Sequence, residues 1–159
     1  MVQGVEVRIQ PVSDSGPPDA DARAGGPMPR RASESAAGFD LLAWIPTPVT
    51  IEAGAWAKIS CGFAMELPAG YEAQVRPRSG LALKHGITLL NGPGTIDSDY
   101  RGEVCVILHN VGATPFVVEP GTRVAQLVVA ALAPARLELV AALSESTRGV
   151  GGFGSTGVS

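Results

Sequence analysis

The sequence has little of what marks several protein classes. Aromatic residues make up only 5% of its 159 positions and charged residues only 17%. A net charge of −3 offers no basic surface to a phosphate backbone, so no nucleic-acid partner is expected. The two cysteines, Cys61 and Cys105, are too few for a disulfide framework, and neither a CxxC pair nor a His-rich cluster suggests zinc. They read as small buried thiols. The longest apolar run, Leu127–Ala133, falls far short of the roughly 20 residues that a spanning helix needs, so no membrane is expected. The start of the chain lacks the basic stretch and apolar core of a secretory signal, and a cytoplasmic, reducing location is the expectation. Sustained helical periodicity is missing too, which argues against a helix bundle.

What is present is apolar chain broken often by turns. Hydrophobic residues make up 45%, and 20 glycines and 13 prolines punctuate them. That pattern predicts a single all-β domain of many short strands, a jelly-roll-like β-barrel. With so little charge to cover it, some apolar surface is expected to lie against other copies of the chain.

Along the chain, Val5, Val7 and Ile9 alternate with polar residues as a half-buried strand, and 13–27 breaks the pattern as a flexible surface insertion. Short strands are expected over 36–43 and 49–51. Ile59, Cys61, Phe63, Met65 and Leu67 keep a period of two, and Tyr71, Ala73 and Val75 do the same. The segment from Ser79 to about Lys84, with a capping-type serine and Gly86 beyond, predicts the one short helix. Its first amides beside Arg78 would suit an anion. Further strands follow over 103–108, 116–118 and 123–129, with a last one carrying Leu137 and Leu139. Gln126 stands among apolar neighbours and needs a partner, either backbone or ligand.

Two stretches carry chemistry. Asn91-Gly92-Pro93-Gly94-Thr95-Ile96-Asp97-Ser98-Asp99-Tyr100-Arg101-Gly102 opens on dense turn residues and closes on two acids and a tyrosine. It reads as a sharp hairpin whose backbone suits the edge of a small planar ligand beside a carboxylate, or as a surface hairpin with solvated acids. Arg148–Gly157 sets Arg, Phe, Ser and Thr in glycine. It suits either a disordered end or a flap over a phosphorylated ring compound.

Together these stretches resemble the trimeric deoxyuridine triphosphatase (dUTPase) family, whose five motifs appear in order. They are Ala37-Gly38-Phe39-Asp40-Leu41, Pro77-Arg78-Ser79-Gly80-Leu81-Ala82, the 91–102 stretch, Gly121-Thr122-Arg123-Val124-Ala125-Gln126-Leu127, and the glycine tail. The resemblance implies a β domain over 1–147 and a closing tail over 148–159. It implies hydrolysis of dUTP to dUMP and pyrophosphate with Mg2+ on the triphosphate, in a homotrimer that shares its sites between subunits. By the same resemblance Asp97 activates the attacking water, while Asn91, Thr95 and Ile96 belong to the uracil-reading stretch. Tyr100 lies under the deoxyribose and excludes a ribose 2′-hydroxyl. Arg78, Ser79, Gly80 and Gln126 meet phosphates, and Asp40 holds metal-bound water. Arg148, Phe153, Gly154, Ser155 and Thr156 close the site, with Phe153 stacked on uracil. Phe39 stands where the family often has tyrosine, and the 13–27 insertion is longer than usual.

Two rivals are weighed against this. A dCTP deaminase of related fold would place a glutamate in the second motif, which here has no acid. A non-catalytic nucleotide-binding protein would have no need of Asp97 or the full tail. His85 and His109 lack metal-type spacing and read as structural or surface residues.

Overall fold

Alternating apolar residues do become strands, and turns rich in glycine and proline separate them. The structure, a computed structural model, describes residues 4–12, 16 and 26–152. Its elements are β1 (Arg8–Pro11), β2 (Arg30–Arg31), β3 (Phe39–Leu42), β4 (Val49–Ile51), β5 (Trp56–Glu66), β6 (Tyr71–Arg76), α1 (Ser79–His85), β7 (Ile87–Leu89), β8 (Gly94–Ile96), β9 (Glu103–Asn110), β10 (Phe116–Val118) and β11 (Arg123–Ala131). One sheet runs β1-β5-β9-β7, a second β2-β3-β11-β6-β8, and β10 pairs with β4 as a ribbon. Every pairing is antiparallel.

The two sheets contribute to one core. Val104, Val106 and Leu108 of β9 and Ile59, Phe63 and Met65 of β5 meet Leu41, Ala73, Val75 and Leu127 of the other sheet. Each large side chain buried there, such as Phe63 or Leu41, contributes roughly 1.5–3 kcal/mol by leaving water.

Four expectations need correction. The barrel does not close: where the chain leaves β3, Trp44 N–H meets Ser60 O of β5 (2.8 Å) as a single backbone bond rather than a ladder. Pro46 and Pro48, which have no N–H, lie where the chain passes from β3 to β4, so no ladder can run on there. Second, the period of two in β5 breaks at a bulge. Register shifts between Ser60 and Ala64, Gly62 takes φ +75°, and Phe63, Ala64 and Met65 are all buried.

Third, β7 and β8 are not a hairpin. β7 pairs with β9 and β8 pairs with β6, so residues 90–93, with a cis Gly92–Pro93 bond, carry the chain from one sheet to the other. Fourth, Leu137 and Leu139 lie on no strand and are almost fully exposed, within a stretch over 131–150 whose residues are all exposed to some degree. Their alternation is real, but among the described residues no strand pairs with it.

Smaller differences concern ends. The first strand starts at Arg8, although Val7 and Ile9 still pack on the core. Ser79 is the first residue of α1, not its cap; Arg78 holds that position and no side-chain cap bond forms. The glycine beyond the helix is as expected, with Gly86 left-handed at φ 66°. Cys61 is buried as expected, and burial, then the neighbouring Cys105 and Glu103, pushes its thiol pKa upward; Cys105 is only half-buried. Most of the 13–27 insertion lies outside the described residues. Of the rest, Gly16 lies against the Trp44 indole and Pro27 is buried.

Among the described residues one polar side chain, that of Asn110, is wholly buried. The Asn110 amide donates to Ile51 O (2.9 Å) and Thr114 O (2.8 Å), and its oxygen accepts from Gly112 N–H (3.0 Å). It fastens the end of β9 to β4 and to the turn before β10. Asn110→Ala strands these groups and should cost about 2–4 kcal/mol. Urea denaturation at fixed protein concentration measures this; a loss under about 1 kcal/mol would show that water replaces the amide.

Candidate active site

Register across the five-stranded sheet draws three of the sequence motifs to one end. Asp40 on β3 pairs with Gln126 on β11, and Gln126 pairs with Arg76 on β6, so the three stand in one row. Two residues beyond Arg76, Arg78 opens α1. Its Nε meets Asp40 Oδ1 at 3.1 Å and its Nη1 donates to Arg123 O at 2.9 Å. Arg123 Nη1 reaches the other Asp40 oxygen at 3.2 Å. One carboxylate thus ties together the strand of the first motif, the helix start of the second and the strand start of the fourth. Arg123 carried no role in the sequence reading. A lone basic residue after a turn gives no signal until its partner across the sheet is known.

Gln126 is half-buried. Its Nε2 donates to Pro77 O (3.1 Å), so the backbone does meet its need for a partner. Its side-chain oxygen lies where a Cβ on Gly38 would come within 2.5 Å, which explains the small residue in the first motif. Phe39 stacks beneath the Arg31 guanidinium, 4.7 Å from the ring centre. Ser79 and Gly80 are exposed at the first turn of α1, where amides have no carbonyl one turn back.

The third motif lies elsewhere on the same sheet. Thr95 pairs with Gln74 and Ile96 with Ala73, so Thr95 is exposed and Ile96 buried. Asn91 is exposed at the crossover before β8. Asp97 follows Ile96 and emerges, exposed, toward the start of β6, whereas Arg78 leaves β6 at its other end. At the strand rise of about 3.3 Å per residue the two are on the order of 15–20 Å apart. A single chain therefore does not bring Asp97 to Arg78, Asp40 and Gln126.

The turn that carries Asp97 is well held. Tyr100 N–H donates to Asp97 O (3.2 Å), and Arg101 Nη1 donates to Ser98 O (2.7 Å) and Tyr100 O (2.9 Å). Tyr100 Oη donates to Glu103 O (3.0 Å). Asp99 is exposed. In the tail, Arg148 is exposed and its Nε donates to Gly151 O (2.9 Å). Phe153, Gly154, Ser155 and Thr156 lie outside the described residues. His85 stacks on Phe116, and among the described residues no three His, Cys, Asp or Glu side chains converge as a metal-holding group. Asp40, with a guanidinium on each oxygen, is a donor set that fits contact to an ion through water, the ion being held by something else.

The dUTPase family model matches residues 24–157. A deoxyuridine 5′-triphosphate nucleotidohydrolase of Rhizobium etli is 56% identical over 133 residues, covering 82% of this chain and 85% of that one. A second R. etli protein of the same description is 55% identical with the same coverage. Among solved structures, a Staphylococcus bacteriophage 80alpha dUTPase with dUpNHpp superposes with TM-score 0.80 at 24% identity, covering 96% of this chain and 99% of the other. A phage phi11 dUTPase, described with a structural Mg(II) ion, superposes with TM-score 0.72 at 19% identity, covering 88% and 99%. An ordered set of motifs, three of them gathered on one carboxylate, and a family match over most of the length agree: the chain belongs to the dUTPase family.

Proposed function

We propose that the protein hydrolyses dUTP to dUMP and pyrophosphate, as a dUTP diphosphatase of nucleotide metabolism. The observation that carries this reading is the Asp40 node. It orients Arg78 beside the Gln126 amide and the first turn of α1, a cradle of donors suited to phosphate oxygens. Relatives above half identity described as deoxyuridine triphosphate nucleotidohydrolases support the same substrate.

In this reading Asn91 and the backbone about Thr95 and Ile96 receive the uracil edge, and Tyr100 lies against the deoxyribose. Asp97 accepts a proton from the attacking water, whose oxygen bonds to the α-phosphorus as the bond to the pyrophosphate oxygen breaks. Mg2+ on the triphosphate would neutralise phosphate charge, with Asp40 meeting its bound water. Phosphoryl transfer needs chiefly position and charge balance, which these groups supply. The reducing cytoplasm fits two free thiols, one of them buried.

The distance between Asp97 and Arg78 supports a homotrimer with shared sites, the 91–102 segment of one subunit meeting the phosphate cradle of another. The exposed stretch over 131–150 supports it also, because Leu137 and Leu139, almost fully exposed, would gain by being covered by another copy. We extend the β domain to residue 147 and begin the closing tail at Arg148, although strands end at Ala131.

Pyrophosphate release measured across dUTP, dCTP, dTTP and UTP tests the activity. Turnover of dUTP alone is expected; ammonia release from dCTP would instead mark a deaminase. Asp97→Asn should bind dUTP almost unchanged yet lose about 10²–10⁴-fold in turnover, as for a positioned base. Near-normal turnover would place water activation elsewhere, with Asp99 next in turn.

Assembly has its own test. Asp97→Asn and Arg148→Ala chains, each nearly inactive alone, are unfolded and refolded together in equal amounts. If the Asp97 segment and the tail come from different subunits, random trimers restore about a quarter of wild-type activity. With subunit exchange verified, no recovery would show that both residues serve one site from one chain.

A further inference from the structure

Gly102 has no left-handed backbone to explain it, since it is absent from the glycines with positive φ. What it lacks is room. A Cβ there would collide with the Tyr100 hydroxyl and lie 2.6 Å from Cζ and 3.0 Å from Cε2. The phenol lies back over this bare backbone and donates to Glu103 O at 3.0 Å, leaving the ring 44% exposed on its open side.

The carbonyl that receives the phenol is itself held. The Glu103 carboxylate accepts from the Ser60 hydroxyl and from Gly62 N–H (3.1 Å), both in the β5 bulge. On the other side Arg101 clasps the carbonyls of Ser98 and Tyr100. The ring is thus fixed at its tip by Glu103 and given its seat by Gly102.

We propose that Gly102, with the Glu103–Ser60–Gly62 latch, is a specificity-determining positioning element, which holds Tyr100 as an unyielding wall against a ribose 2′-hydroxyl. This rests on the reading of Tyr100 as the sugar contact. A wall discriminates by refusing the larger sugar, and it refuses only if it cannot recede. A side chain at position 102 expels the phenol from its seat and breaks the bond to Glu103 O. The collision is with a half-exposed side chain and not with backbone, so the fold has no reason to fail.

The test is the ratio of kcat/KM for dUTP to that for UTP in wild type, Gly102→Ala, Tyr100→Ala and the double variant. Gly102→Ala should lower the ratio at least about tenfold, the scale of a lost shape contact. In the Tyr100→Ala background it should change the ratio by less than about twofold, because the wall it acts through is gone. Glu103→Ala should lower the ratio in the same direction and Glu103→Gln, which keeps the acceptor oxygen, should restore it. This pair decides the matter if Gly102→Ala does not fold. An unchanged ratio in Gly102→Ala, or equal falls with and without Tyr100, overturns the proposal while the dUTPase reading stands. A wild-type protein that does not hydrolyse dUTP overturns that reading and the proposal with it.

Discussion

The Asp40 carboxylate is the interaction on which the site's shape depends. Its side chain is only 16% exposed, and its two oxygens are shared between Arg78 and Arg123. Each guanidinium also serves the backbone or solvent, so the node is neither a dry buried pair nor a loose surface one. Coulomb attraction in such a place is moderate, and the larger effect is geometric. Asp40 belongs to β3, Arg123 to β11 and Arg78 to the start of α1, three segments that are far apart in sequence. Without the carboxylate, a half-buried and an exposed cation would face each other across a sheet end with nothing to fix their distance.

The second constraint is the way the chain changes sheets. The crossover at residues 90–93 puts β7 and β8 in different sheets, and the return through 97–102 leads back into β9. A segment of this kind has no ladder of its own along its turns, so side chains must hold it. Arg101, the Tyr100 hydroxyl and the Glu103 carboxylate do that work, each through a backbone group or the β5 bulge. Asp97 and Tyr100, the residues proposed to carry chemistry, therefore stand on an irregular but well-tied loop, the usual place for reactive groups on a rigid scaffold.

Much of this was legible in advance, for identifiable reasons. Alternation located β6, and short apolar runs bounded by turn residues located β4, β9, β10 and β11, because both are local properties of the chain. Pairing is not local. Asn91-Gly92 has the chemistry of a tight hairpin, but the partners of β7 and β8 lie on β9 and β6, and no turn signal contains that. The β5 bulge was hidden likewise, since Gly62 in an alternating run looks like a small inward or outward residue until its φ is known. At the site, motif order picked out Asp40, Arg78 and Gln126, which the sheet does gather. It could not supply Arg123, whose part depends on the register of β3 with β11, or Gly102, whose part lies in the space it leaves for a neighbour.

Charge bears on the proposal that sites are shared between chains. Two guanidiniums against the single Asp40 carboxylate leave the phosphate cradle with a small net positive charge. A nucleoside triphosphate brings several negative charges, and the transition state gathers more on the leaving oxygens. Even with a divalent ion on the substrate, more donors are needed where the terminal phosphates lie. Arg148 is a suitable one, but it sits on a stretch that touches little of its own subunit, beyond a run of exposed apolar residues. A cation placed there is of use only where that stretch comes to rest. The apolar alternation at Leu137 and Leu139 supplies a reason for it to rest against another copy. In the proposed trimer the segment that leaves the monomer with uncovered surface would also deliver the added charge, so assembly and phosphate binding are expected to fail together.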